Sequence, residues 1–76
     1  ALVSISNTSG LAGIAHWINS YYRLPQERHL DKNSELVHKL KDWVDEQYDE
    51  GRVTVLTDNE LVVKITECCQ ELGIIL

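Results

Sequence analysis

Apolar side chains recur at steps of three and four in separate stretches of this chain, the spacing that keeps one face of a helix together. Three helices are predicted from it. The first covers residues 9–22, with Leu11, Ile14, Ala15, Ile18 and Tyr22 as its stripe. Asn7, Thr8 and Ser9 all carry side chains that accept from an unpaired N–H in a first helical turn. Pro25 stops this helix, because the residue before a proline avoids the α region. Gly13 lies inside it and weakens it by up to about 1 kcal/mol relative to alanine. That cost leads us to expect another backbone close to Gly13.

The second helix is predicted over residues 32–50, capped by Asp31 or Asn33, with Leu36, Leu40, Trp43 and Val44 facing the core and Val37 and Tyr48 at the margins. Gly51 suits the left-handed residue that commonly follows a last helical turn. The third, over residues 58–72, is announced by Thr57-Asp58-Asn59-Glu60. In this capping box the Thr57 hydroxyl accepts from the Glu60 N–H, and the Glu60 carboxylate accepts from the Thr57 N–H. Leu61, Ile65, Cys68 and Leu72 form its buried face, and Gly73 closes it. Residues 2–5 and 52–56 are β-branched and extended in character, and a ribbon between them is too small to be stable alone. The expected fold is therefore all-α: one small three-helix domain with a short extended N-terminal segment and an extended connector before the last helix. Both ends are apolar and abrupt, and the chain is expected to be a subdomain excised from a longer one, with residues 1–6 the end of a linker.

Composition narrows the function classes. With 76 residues there is room for one domain, and with 12 acidic against 7 basic side chains the formal charge is −5. That balance repels phosphate backbones, so no nucleic-acid partner is expected. The longest nearly apolar stretch, residues 10–18, is far short of the roughly 20 residues that cross a bilayer, so no membrane partner is expected either. Cys68 and Cys69 are adjacent and cannot bridge without severe strain, so they read as reduced thiols of a cytoplasmic protein.

No catalytic, cofactor-binding or metal-ligating set is assigned within the chain. Residues 45–60 resemble a calcium loop in outline, but Gly51 at the sixth position puts Tyr48 at the third and Thr57 at the twelfth, where carboxylates are required. His16, His29 and His38 lie in three different segments without partners at metal-ligand spacing. His38 and Asp42 are four apart, a spacing that permits a surface hydrogen bond. Asp42, Asp45, Glu46 and Asp49 form an acidic stripe in the C-terminal part of their helix, where the helix dipole prefers cations. Such a stripe is a solvated face or a dock for something basic. Trp17 is read as off the stripe through Ile14 and Ile18. With Tyr21 and Tyr22 it is an expected contact with another domain, the alternative being that a three-helix domain covers most of its first helix and takes Trp17 into the core; Asp42 and Asp45 are the expected acidic contacts.

The run from Ser6 through Ser9-Gly10 to His16-Trp17-Ile18-Asn19, then Lys39-Leu40-Lys41-Asp42-Trp43-Val44-Asp45-Glu46-Gln47-Tyr48, Gly51-Arg52-Val53-Thr54 and Thr57-Asp58-Asn59-Glu60-Leu61 resemble one known arrangement. It is the post-catalytic helical region of the 2-isopropylmalate, homocitrate and citramalate synthase family. In that family a Ser-Gly opens a helix, and a second helix, a valine-containing connector and an acidic helix start follow. The resemblance implies a parent chain with an upstream TIM barrel that binds a divalent metal and condenses acetyl-CoA with a 2-oxo acid, an acyltransferase of amino-acid biosynthesis. It implies two partners, that barrel and a second subunit. Neither the metal nor acetyl-CoA is expected to bind within this fragment. Thr8 stands where the family often has a histidine, which puts any role of that histidine in doubt. The rival expectation is a free-standing acidic helical module that binds a basic protein. A small enzyme complete in these residues lacks a nucleophile–base pair, metal set or phosphate loop.

Overall fold

Each predicted helix forms, and each stops in the same way. A computed structural model describes residues 4–76 and contains α1 (Leu11–Tyr21), α2 (Glu35–Asp49) and α3 (Asp58–Leu72), with one 3-10 turn, Gln26–Arg28, between α1 and α2. At each C-terminus an N–H reaches back five residues: Leu24 to Asn19 O (3.0 Å), Arg52 to Gln47 O (3.2 Å) and Ile74 to Cys69 O (2.9 Å). This bond closes a Schellman-type end and needs a left-handed residue just before its donor. Gly51 (φ +108°) and Gly73 (φ +69°) supply it as the sequence predicts, but after α1 the residue is Arg23 (φ +51°). The chain has therefore left the helix before Pro25 acts.

The starts differ from expectation more than the ends. The cap of α1 is Gly10, which has no side chain to offer. Ser9 instead accepts from the Ser6 N–H (3.0 Å), and Thr8 bonds the Ser6 hydroxyl, so these hydroxyls close the turn before the helix. Ser34 caps α2 without a side-chain bond, while Asp31 accepts from the Asn33 N–H (2.8 Å) one turn earlier. For α3 the capping box is present as predicted. Its bonds are Glu60 N–H to Thr57 Oγ1 (3.2 Å) and Thr57 N–H to Glu60 Oε1 (3.0 Å).

Ile14, Ala15, Trp17 and Ile18 of α1 pack with Leu36, Val37, Leu40 and Val44 of α2 and Leu61, Ile65 and Cys68 of α3. Ile5, Leu24 and Leu56 from the connections complete this core. The predicted ribbon reduces to one antiparallel bridge, Leu56 N–H to Ile5 O at 3.0 Å, and residues 2 and 3 of the predicted segment lie outside the described residues. Lys39–Glu71 (3.8 Å) and Arg52–Glu60 (2.6 Å) tie opposite ends of α2 and α3, so these helices run antiparallel. The radius of gyration, 11.7 Å, matches the roughly 11 Å expected of a compact domain of this length.

Packing sorts the two tryptophans. Trp17, read either as a docking contact or as core, is 2% exposed and belongs to the core. It follows Ile14 by three residues, which is only about 60° round a helix from it, so it lies beside the stripe. Trp43, expected in the core, is half-buried at its edge, and Val37 takes the inner position. Gly13 is also corrected: a side chain built there would meet nothing within 4 Å.

Candidate functional site

Among the residues predicted to face a partner, the α1 aromatics form one small stack. The Tyr21 ring lies on Trp17 with centroids 4.7 Å apart and 9° between planes, and Tyr22 meets Tyr21 edge-on at 5.4 Å. Trp17 is thus the buried backing of the stack and Tyr21, 40% exposed, its outer ring. Burial pushes the Tyr22 hydroxyl above its ordinary value, with nearby Cys69 and Tyr21 adding to the effect.

The acidic stripe divides. Asp45 accepts from Lys41 Nζ at 2.7 Å within α2, which occupies the carboxylate assigned to a partner. Asp42 and Glu46 have no cation partner among the described residues, and no hydrogen bond joins His38 to Asp42. Asp42 is therefore exposed and unpaired among the described residues, while Asp45, also at the surface, is paired within its own helix.

Behind the stripe, α2 and α3 leave two adjoining open grooves that share Trp43 and Lys64. One, of about 380 Å³, has Trp43 and Val63 as its apolar surface and Asn59, Glu60 and Glu67 around them. The other, of about 250 Å³, is polar, with Asp42 and Glu46 on one side and Glu71 and Cys68 on the other. Periodicity missed this surface because it placed Trp43 in the core. The spacing of Lys39, Asp42, Trp43 and Glu46 at positions i, i+3, i+4 and i+7 was the available signal.

One end of the grooves is fixed by Arg52. Its guanidinium holds both Glu60 oxygens (2.6 and 2.7 Å) and the carbonyls of Thr54 (3.0 Å) and Val55 (2.9 Å), while the Tyr48 hydroxyl donates to Thr54 O (2.6 Å). Arg52 and the Thr57 N–H together lower the Glu60 pKa to about 2, far below the ordinary glutamate value. Cys68 is buried and Cys69 half-buried, so one of the adjacent pair faces the core. Burial raises both thiol pKa values and keeps both thiols weak nucleophiles. Among the described residues no three His, Cys, Asp or Glu side chains gather as a metal-binding set. No helix among them is long and apolar enough to cross a membrane.

Nearly the whole chain has counterparts in known proteins. It is 44% identical over 70 residues to a citrate (Re)-synthase of Clostridium kluyveri and 38% identical over 68 residues to one of Syntrophus aciditrophicus. The chain is similar to a short part of citrate (Re)-synthases. The matches take in 92% and 90% of this chain but only 16% and 11% of those enzymes, so it spans a small fraction of the length of the curated relatives it matches. All three helices fall largely inside the matched stretch, since too few residues remain outside it to hold one. No protein-family profile matches the chain. No solved structure is significantly similar to it. The matches bear out the resemblance to a segment of a larger synthase, and the relatives found carry the name citrate synthase rather than that of any branch named from sequence.

Proposed function

We propose that this chain is the accessory helical subdomain of an acyl-CoA-dependent synthase that joins the methyl carbon of acetyl-CoA to the keto carbon of a 2-oxo acid. The observation that carries the reading is 44% identity over 92% of the chain to a stretch that is only 16% of a citrate (Re)-synthase. Citrate is an acetate unit joined to the keto carbon of a four-carbon 2-oxo diacid. The 2-isopropylmalate, homocitrate and citramalate reactions form the same type of bond. Citrate is accordingly the first product to seek.

The catalytic residues, the divalent metal and the acetyl-CoA site belong to an upstream TIM barrel in this reading. This chain's role is to pack on the barrel and on a second subunit and to cover the active-site mouth, which in such barrels lies at the C-terminal ends of the strands. Tyr21 and Tyr22 form one docking patch and Asp42 another, in a cytoplasmic enzyme.

The test uses the native gene product, captured from its cells with an antibody raised to this segment. A product longer by roughly 250 residues or more, with room for a barrel, is expected. Thiol release from acetyl-CoA should depend on oxaloacetate or another 2-oxo acid and be lost on metal chelation. A product the size of this chain, releasing no thiol with any 2-oxo acid, would overturn the reading.

A further inference from the structure

We propose that the paired grooves at Trp43 seat an amphipathic segment of another polypeptide, one that presents an apolar side chain next to an arginine or lysine. The two halves ask for different chemistry. Val63 is 60% exposed on α3, and with the half-buried Trp43 it makes the larger groove an apolar seat. The smaller groove, across Trp43, is polar and contains Asp42 and Glu46.

Charge decides the sign of the occupant. Lys64 is tied to Glu67 (3.5 Å), Lys39 to Glu71 (3.8 Å) and Glu60 to Arg52 (2.6 Å). With those pairs set aside, Asp42 and Glu46 remain without a cation partner among the described residues, and they lie four residues apart on the face that carries Trp43. An indole is the side chain that best attracts a cation to its face, and tryptophan is among the residues enriched at binding hot spots. A second copy of this chain fits poorly, because each copy carries a net charge of −5. The assignment rests on the accessory-subdomain reading only for where the segment comes from, which would be the barrel or the second subunit.

The ¹⁵N-labelled chain, which buries a core of its own, is titrated with a blocked alanine-based helical peptide of about 15 residues. The peptide carries one leucine and one arginine on the same face. The expected result is a saturable shift of the Trp43 indole N–H and the Val63 amide, with the Trp17 indole unmoved. Replacing the peptide's arginine by glutamate should weaken binding at least about tenfold, as should Asp42→Asn with Glu46→Gln in the chain. Both carboxylates are at the surface, so the double variant keeps its fold, which circular dichroism checks. Raising the salt should weaken the complex. Three results would each overturn the proposal: no saturable shift at Trp43 with peptide on the order of millimolar, equal binding of the charge-reversed peptide, or a peptide-free dimer that buries Trp43. Thiol release by the native gene product is read separately, so the groove and the synthase reading fail independently.

Discussion

Arg23 holds a left-handed backbone at the end of α1, a conformation that costs a residue with a Cβ roughly 1–2 kcal/mol. Glycine ends α2 and α3 in the same geometry without that cost. Arg23→Gly should therefore raise stability by about 0.5–1 kcal/mol, after subtracting glycine's greater freedom in the unfolded chain. A higher urea midpoint with an unchanged slope is the expected reading. Gly13 is the converse, an ordinary helical position with open space around it. Gly13→Ala should stabilise by roughly 0.5–1 kcal/mol, measured the same way. The thiols differ by one position and by burial. With iodoacetamide at neutral pH, Cys69 should be alkylated slowly and Cys68 only as fast as the chain opens, which peptide mapping of the labelled protein resolves.

The start of α3 depends on more than its own four-residue motif. Glu60 accepts from Thr57 inside the helix and from Arg52 outside it, so the cap also fixes the connector that leads in. Its pKa falls from 4.5 to about 2 on folding, and the unfolded chain therefore takes up the proton first as pH drops. The stabilisation is complete above about pH 4.5 and is lost as pH falls toward 2. Glu60→Gln keeps an acceptor for the Thr57 N–H but loses the charge that Arg52 holds. This variant should be less stable than the parent at neutral pH, and the difference should shrink steadily between pH 4.5 and 2 in acid denaturation followed by circular dichroism. At the other connection Asn19 has a comparable role. Its amide donates to Leu30 O (2.9 Å) and accepts from the Leu30 N–H (2.8 Å), pinning the loop between α1 and α2 with one side chain.

At the scale of the molecule the two tryptophans separate folding from binding. Trp17 fills the core, and Trp17→Ala should cost about 3–5 kcal/mol. A domain of this length has roughly 4–11 kcal/mol in total, so this variant should be largely unfolded near room temperature or melt far below the parent. An isolated variant that stayed folded would favour the docking reading of Trp17 instead. Trp43→Ala removes a half-exposed side chain and should cost no more than about 1–2 kcal/mol, leaving the fold intact. Thermal melts of the two variants side by side give the comparison. Tyr21, held flat on Trp17, is the exposed ring of that pair.

The number of helices, the capping box at Thr57 and the glycine ends at Gly51 and Gly73 were legible in the chain, because each follows from a few neighbouring residues and backbone geometry that any helix shares. The apolar face of α3 was legible for the same reason, since its Leu61, Ile65 and Cys68 keep a clean helical period. Arg23 was not, because no local preference selects arginine for a left-handed position; burial of Leu24 and closure of the turn hold it there. Nor did periodicity tell Trp17 from Trp43. Both border an apolar stripe, and which border is buried depends on where the next helix packs. The partner of Glu60 likewise waited on the fold, since Arg52 reaches it only once the connector has turned α3 back along α2. Spacing alone could list the acids of α2, but only the packing of α3 beside them left Asp42 and Glu46 unpaired at the edge of a groove.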